Sequence, residues 1–250
     1  MLCRCDTPNG ETVEVYVKYK GFHEELSFDH LAGELIANLF ALDMNIPAAK
    51  PCIVNISKEF IEVLPDDTAG LGLKAAFGSQ ACSAFGSIAF KAFRRWEASN
   101  LVHNGQIIDA TRLYLFDTIV ENSDRSISNP NLLVSGHDFK AIDFGHSFQR
   151  CHSECKYDDC KMPWEPGGIL NSFKGDMQHV LLSGMKKVTV EAIEAFTNDL
   201  RDISDQIIEE YVTVVPEEWG DYTALKIVDY LTEARNNADA FEKQVRGVLL

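Results

Sequence analysis

The first part of the chain alternates between apolar and polar residues. Residues 11–20, E-T-V-E-V-Y-V-K-Y-K, carry valine at positions 13, 15 and 17, the period typical of a strand with one buried face. Asn9-Gly10 just before this segment is a strong signal for a tight turn. We therefore expect a strand over residues 2–7 to pair with it as a hairpin. Residues 28–44 then carry apolar side chains at helical spacing, with Ser27 as the N-cap residue.

Further apolar runs divide the rest of the chain. Residues 53–56 and 60–64 predict a second pair of strands. Residues 66–87 are rich in Gly, Ala and Ser, which favours a connecting loop. Residues 107–120 have the apolar spacing of a buried helix, and the pattern beyond Thr189 predicts two or three amphipathic helices.

The composition is that of an ordinary globular protein. The 250 residues are 46% hydrophobic and 24% charged, enough for one large domain or two lobes. No apolar run reaches the roughly 18–20 residues that span a bilayer, and the N-terminus lacks the pattern of a secretory signal. Seven cysteines at irregular spacing argue against a disulfide framework, so we expect a cytoplasmic protein. The net charge of −15 disfavours nucleic acid as a direct partner.

Residues 122–145 carry the strongest chemical signal. They contain Asp124, Asn129 five residues later, and Asp143 in the segment A-I-D-F-G, with an apolar run and a polar turn between them. This layout is typical of a phosphoryl-transfer site, where one carboxylate orients the attacking hydroxyl while an amide and a second carboxylate hold a metal. An Asn- and Ser-rich turn followed by an ordinary hairpin is the alternative interpretation.

The order of the predicted elements, taken with this motif, resembles the HipA-like kinases, a bacterial protein-kinase-like group that includes a serine/threonine kinase toxin. The chain is most similar to the short branch without the toxin's extra N-terminal domain. The resemblance implies an α+β, two-lobed protein-kinase-like fold. A small β-rich N-lobe would span residues 1–80, with its helix at 28–44. A larger, mostly helical C-lobe would span 81–250 and carry the catalytic loop 122–131, the metal-binding D-F-G at 143–145 and the C-terminal helices.

The matching segments cover most of the chain in the expected order: V-Y-V-K-Y-K-G at 15–21, L-A-G-E-L-I-A-N-L-F-A-L-D-M-N-I-P at 31–47, N-S-D-R-S-I-S-N-P-N-L-L-V at 122–134, A-I-D-F-G-H-S-F at 141–148 and V-P-E-E-W at 215–219.

By this resemblance the protein is an ATP- and Mg²⁺-dependent kinase. Asp124 is similar to the catalytic Asp, and Asn129 and Asp143 are similar to the residues that hold Mg²⁺. Lys18 occupies the position of the lysine that binds the nucleotide phosphates. Glu34 resembles the helix acid that pairs with this lysine or lies near the metal. The expected partners are a nucleotide and a protein substrate, without direct contact to nucleic acid or membrane; an antitoxin-like protein partner is left open.

Alternatives to three of these assignments remain open. Lys20 faces the same side of the strand as Lys18 and is the other candidate for the phosphate-binding lysine. Glu34 lies at the edge of the apolar helix face and is alternatively an exposed acid. Arg125 either contacts phosphate or pairs with a nearby acid in the loop.

The chain departs from the kinase pattern at its start. Kinases cover the nucleotide phosphates with a Gly-rich turn between their first two strands. Asn9-Gly10 is the only turn signal ahead of Lys18. A start site set too late, a reduced loop with weak nucleotide affinity and a degenerate kinase each explain this departure.

A cluster of cysteines follows the D-F-G segment: Cys151, Cys155 and Cys160 lie within ten residues, together with His152. Thiolates and imidazoles ligate zinc, but the usual pair of cysteines two residues apart is missing. Reduced thiols in a loop are the favoured interpretation. Zinc binding and redox sensitivity of an exposed thiol are the alternatives.

The predicted function is phosphoryl transfer from ATP to a protein Ser or Thr hydroxyl. A small-molecule or lipid-headgroup acceptor is an alternative, since D-R-x-x-x-N is also similar to the loop of phosphoinositide kinases. A pseudokinase acting as a nucleotide-binding or regulatory module is the second hypothesis, which the missing Gly-rich turn favours and the presence of Asp124, Asn129 and Asp143 opposes. An unrelated α+β interaction protein explains none of the spacing.

Overall fold

The computed structural model describes residues 1–22, 26–97, 99–155, 160–169, 178–184 and 188–250. The N-terminal part is a four-stranded antiparallel sheet in the order β1-β2-β4-β3, with β1 at Leu2–Asp6, β2 at Thr12–Lys18, β3 at Pro51–Ile56 and β4 at Cys82–Ile88. The hairpin predicted around Asn9-Gly10 is confirmed, with Cys3 opposite Val15. Gly10 has a φ of 80°, a conformation that glycine adopts without steric cost.

The first long helix, α1, runs from Phe28 to Asp43 and confirms the helix predicted at 28–44. The Ser27 backbone N–H donates to His30 Nδ1 at 3.4 Å and satisfies one of the groups left open at the helix start. One side of α1 buries Leu31 and Leu35 against Phe85 of β4. Other residues of α1 belong to the largest apolar core, so the helix packs on both the sheet and the helical part.

The predicted strand at residues 60–64 is wrong. Lys58–Val63 form the short helix α2, and the Ser57 hydroxyl caps it by accepting from the Phe60 backbone N–H at 3.1 Å. A short apolar run does not by itself distinguish a strand from a buried helix turn. The Ser57 cap was the signal that favoured a helix.

The predicted loop at residues 66–87 is also wrong. This stretch contains helix α3 at Thr68–Phe77 and strand β4. Asp67 Oδ1 caps α3 by accepting from Gly70 N–H at 2.8 Å. The division of the chain into lobes after residue 80 stays a prediction; β4 lies beyond that point and pairs with β2 and β3.

The C-terminal part is mostly helical, and the described residues therefore form a mixed α+β structure consistent with a kinase-like fold. Helix α4, at Ile107–Ile119, confirms the predicted buried helix. A three-stranded sheet in the order β5-β6-β7 is built from both sides of α4 in the chain: β5 at Arg94–Arg95 precedes the helix, and β6 at Leu132–Ser135 and β7 at Asp138–Ala141 follow it. The remaining described helices are α5 at Val180–Gly184, α6 at Val190–Asp202, α7 at Asp205–Thr213, α8 at Tyr222–Asn236 and α9 at Ala238–Leu249.

Four helices thus follow Thr189 in the described residues, where the sequence pattern predicted two or three. The apolar positions of α6 and α8 enter the same core as α4, with Phe196 and Ile227 fully buried. Within the described ranges, no helix is both long and apolar enough to cross a membrane.

Gly86 of β4 provides a test of the sheet packing. A Cβ atom there would lie 2.7 Å from side-chain atoms of Cys52, Val15 and Val54. We expect Gly86→Ala to lower the free energy of unfolding by about 1–3 kcal/mol because the strands must separate or the side chains must leave their rotamers. Urea denaturation measures the change.

Gly72→Ala is the matched control for this substitution. Gly72 lies in α3, and nothing lies within 4 Å of the added methyl group. This variant should gain roughly 0.5–1 kcal/mol, because alanine is the better helix residue. A Gly86→Ala protein as stable as the wild type would contradict the packing described for the sheet.

Candidate active site

Three charged side chains from distant parts of the sequence meet at one point. Lys18 is the last residue of β2, Glu34 lies in the second turn of α1, and Asp143 follows β7. The Lys18 ammonium lies 2.8 Å from both carboxylate oxygens of Glu34 and 2.7 Å from Asp143 Oδ1. The expected pairing of Glu34 with Lys18 is therefore present, and Glu34 is 1% exposed rather than a surface acid.

Burial and charge together set the protonation of this cluster. Burial raises the pKa of Glu34 to about 7; the Asp143 carboxylate acts in the same direction, and the Lys18 ammonium opposes both. Burial acts to lower the pKa of Lys18, but the two carboxylates prevail and raise it to about 12. Burial acts to raise the pKa of Asp143, and the Lys18 ammonium reverses this into a net lowering. Lys18 and Asp143 are thus charged at neutral pH, while Glu34 titrates close to it.

The backbone around Asp143 allows the D-F-G segment to pack closely against Glu34. Asp143 has a φ of 57°, an uncommon left-handed conformation for a residue other than glycine. A Cβ atom on Gly145 would lie 3.3 Å from Glu34 Oε2 and 3.4 Å from Asp143 Oδ1. The absence of a side chain at Gly145 therefore lets the D-F-G segment close on the charged cluster.

Two side-chain amides of the loop that carries Asp124 hold one oxygen of its carboxylate. The side-chain amides of Asn129 and Asn131 donate to Asp124 Oδ2 at 2.8 and 2.9 Å. Within the described residues, Asp124 Oδ1 receives no hydrogen bond. The structure thus brings Asp124 and Asn129 together; Asn131 was not identified from the sequence, although it lies in the same polar run.

Arg125 pairs with an acid and is withdrawn from solvent. Its guanidinium is fully buried, and Nε donates to Asp117 Oδ2 at 2.6 Å. Nη1 donates to the carbonyl oxygens of Asn131 and Ile142 at 2.5 and 3.0 Å. The guanidinium also lies 4.7 Å from the ring centroid of Phe144. Of the two possibilities left open for Arg125, the structure supports an ion pair, but with Asp117 of α4 and not with an acid in the loop.

Asp117 and His179 are buried partners in this region that the sequence analysis missed. His179 Nε2 lies 2.8 Å from Asp117 Oδ2, and neither side chain is exposed. An acid inside the apolar run L-Y-L-F-D-T-I-V of α4 was the available signal for Asp117. No local pattern marks His179, which is 62 positions further along the chain.

A cleft of about 280 Å³ joins the two parts of the site. Its lining includes Lys18, Asp124, Asp143 and Gly145, together with His30 and His146, which the sequence analysis did not identify. A larger cavity of about 750 Å³ lies against β1, β2 and β3 and contains none of the predicted site residues. We assign the site to the smaller cleft, because the ionised groups converge there.

Two alternatives from the sequence are not supported by the geometry. The Lys20 ammonium lies 4.1 Å from the ring centroid of Phe28, outside the charged cluster. Cys151 is buried, burial raises the pKa of its thiol to about 12, and its Sγ faces the Lys226 carbonyl oxygen at 3.7 Å. In the part of the chain that the structure describes, no three His, Cys, Asp or Glu residues are grouped to hold a metal ion.

The donor set beside the cleft fits a magnesium ion. Asp143 Oδ2 and the side-chain oxygen of Asn129 accept no hydrogen bond from the described residues. Mg²⁺ prefers hard oxygen ligands and is commonly held by one or two carboxylates together with substrate phosphates. Asp143 and Asn129 are therefore the residues that could hold it.

The Glu34 carboxyl leads to a pH prediction for the metal-free protein. Its pKa is raised from 4.5 to about 7 on folding, so the stability it contributes is fully present below pH 4.5 and is lost as the pH rises through about 7. Between pH 5 and 8 we expect the free energy of unfolding of the wild type to fall relative to that of Glu34→Gln, by at most about 1.4 kcal/mol per pH unit. Urea titrations at several pH values measure this difference; a difference that stays flat or rises would show that Glu34 is ionised throughout.

The comparison with known families agrees with this geometry. A protein-family model described as HipA-like kinase matches residues 2–160, which include the β1-β2 hairpin, α1, the Asp124 loop and the D-F-G segment. No match to the chain was found among curated proteins. Since the family model covers more than half of the 250 residues, the chain belongs to the HipA-like kinase family.

Proposed function

We propose that the protein transfers the γ-phosphoryl group of ATP to a Ser or Thr hydroxyl of a protein, with Mg²⁺ as cofactor. Membership of the HipA-like kinase family supports a phosphotransferase of the kinase type. The observation that carries the proposal is the Lys18 ammonium held between Glu34 and Asp143 at the edge of a cleft that also contains Asp124. Phosphoryl transfer requires three kinds of group: a cation that binds the phosphates, a carboxylate that binds the metal, and a carboxylate beside the acceptor hydroxyl.

Lys18 and Glu34 prepare the phosphate side of the cleft. Glu34 is buried and holds the ammonium through both oxygens, so Lys18 has a defined position when a nucleotide enters. Asp143 and Asn129 would hold the magnesium ion, which neutralises charge on the phosphates when it is bound. Lys18 then exchanges its contact with Asp143 for a phosphate oxygen while it keeps Glu34.

Asp124 acts on the acceptor side. Its Oδ2 is held by Asn129 and Asn131, which leaves Oδ1 to accept the proton of the attacking hydroxyl. The hydroxyl oxygen forms the new bond to phosphorus, the bond between the γ-phosphorus and the β–γ bridging oxygen breaks, and ADP leaves with that electron pair. The family is the reason for preferring a protein acceptor; small-molecule and lipid-headgroup acceptors are the competing outcomes of a substrate assay.

A thermal-shift experiment tests the nucleotide site. ATP with Mg²⁺ at about a hundred times its dissociation constant should stabilise the protein by roughly 2.7 kcal/mol and raise Tm by a few degrees. We expect Asp143→Asn to lose the magnesium-dependent part of the shift and Asp124→Asn to keep it, with both variants losing turnover. Asp138→Asn, in the exposed turn of the same hairpin, is the control and should behave as the wild type. A wild type that shows no shift at millimolar ATP would favour the pseudokinase hypothesis instead.

A pair of lysine variants tests the phosphate contact. Lys18→Met removes the ammonium that bridges Glu34 and Asp143, whereas Lys20→Met removes one that lies over Phe28. Both substitutions remove one positive charge from neighbouring positions of the N-terminal sheet region. We expect ATP affinity to fall by about tenfold or more in the first variant and by less than about twofold in the second, since charged hydrogen bonds contribute about 1.5–3 kcal/mol. Equal losses in isothermal titration would contradict the role given to Lys18.

A further inference from the structure

One buried carboxylate below the catalytic loop receives four hydrogen bonds. Asp117 Oδ2 accepts from Arg125 Nε at 2.6 Å and lies 2.8 Å from His179 Nε2. Asp117 Oδ1 accepts from the Asn122 side-chain amide at 3.0 Å and from Arg125 Nη2 at 3.4 Å. A carboxylate offers about four acceptor positions, so Asp117 is saturated. Two of its three donors belong to residues that flank Asp124.

His179 enters this arrangement as a neutral donor. The Leu181 backbone N–H donates to its Nδ1 at 3.3 Å, which places the ring proton on Nε2, facing Asp117. Burial lowers the pKa of His179, and this exceeds the opposing effect of the Asp117 carboxylate. The imidazole therefore acts as an N–H donor of fixed orientation, and the charge of Asp117 is balanced by Arg125.

The backbone beside His179 also lies along the catalytic loop. Ser126 and His179 form an antiparallel bridge. The Val180 N–H donates to the Arg125 carbonyl oxygen at 3.2 Å, and the Ile127 N–H donates to the Gln178 carbonyl oxygen at 3.2 Å. His179 is thus connected to the loop immediately after Asp124 through both its side chain and its main chain.

Arg125 extends this connection to both sides of the cleft. Its Nη1 holds the carbonyl oxygen of Asn131, whose side chain bonds Asp124. The same nitrogen holds the carbonyl oxygen of Ile142, the residue before Asp143. A displacement of the guanidinium would therefore move the Asp124 loop and the D-F-G segment relative to each other.

We propose that Asp117 and His179 are positioning residues for phosphoryl transfer: they hold Arg125, and through it the catalytic loop, in the orientation that presents Asp124 to the acceptor hydroxyl. This inference rests on the proposed function and extends it to two residues outside the cleft. His179 bonds Asp117 and lies along the loop after Asp124, whereas the Lys18–Glu34 pair, proposed to receive the phosphates, lies on β2 and α1.

Variants of His179 test the proposal by separating kcat from KM. In His179→Leu, which cannot donate to Asp117, we expect kcat to fall by about a hundredfold while the KM for ATP stays within about threefold, as for a displaced catalytic group. In His179→Gln, whose side-chain amide can reach Asp117, most of the activity should return. His179→Asn, with a shorter amide, should resemble the Leu variant and serves if the Leu variant does not fold. Thr197→Val removes a buried hydroxyl in α6, away from the network, and controls for a general loss of stability.

Hydrogen exchange supplies a readout that does not depend on activity. Deuterium uptake over residues 122–131 should increase in His179→Leu or His179→Asn, with no change over β2. A wild type without turnover would refute the proposed function, and the exchange data would still decide the positioning role. Unchanged exchange in the loop, an unchanged kcat in the Leu and Asn variants, or equal losses in the Gln and Leu variants would each overturn the proposal.

Discussion

The geometry of the cleft depends on a single ammonium group shared between two carboxylates. Glu34 is almost completely buried, and an ionised carboxylate in that position is destabilising unless a cation lies against it. Lys18 provides that cation at 2.8 Å and also reaches Asp143 at 2.7 Å, across 125 positions of sequence. Because one positive charge serves two negative ones, the cluster is most stable when one carboxyl is protonated or a further cation is present. The cluster thus favours the arrival of a metal ion.

Helix α1 must lie close to the D-F-G segment for this contact to form. Gly33, next to Glu34, allows it: a Cβ atom there would lie 3.2 Å from the Ser147 carbonyl oxygen. Asp29, one turn earlier, accepts from the Ser153 backbone N–H at 3.1 Å and from the Thr223 hydroxyl at 2.5 Å. The start of α1 is therefore attached both to the segment after D-F-G and to α8. These contacts help to fix the position of Glu34 relative to Lys18.

The sequence predicted those parts of the site in which chemistry imposes a spacing. Asp124, Asn129 and Asp143 lie on one loop and one hairpin, and the structure places Asp124 and Asn129 in contact and Asp124 and Asp143 on the same cleft. The β1-β2 hairpin and the two long buried helices were equally accessible, because their periodicity is strong.

What the sequence could not predict are features decided by tertiary partners. The apolar run at residues 60–64 fits either a strand or a helix turn; the Ser57 cap was the one local signal for the helix, and β3 pairs with β4 instead of with this segment. Strand β4 was not recognised because its small residues are typical of a loop; at Gly86 the missing side chain leaves room for side chains of β2 and β3. His179 could not be identified because its partner Asp117 lies on α4, 62 positions away.

The position of the Asn9-Gly10 turn has a consequence for how phosphates are bound. The turn precedes Thr12 at the start of β2, whereas Lys18 is at its end, which separates them by roughly 20 Å at the rise of an extended strand. This turn therefore cannot cover phosphates that lie beside Lys18. At the cleft, the Lys18 ammonium is placed to meet phosphate charge. Under the proposed function, the Lys18 ammonium and the metal that Asp143 and Asn129 could hold meet the phosphate charge without a contribution from this turn.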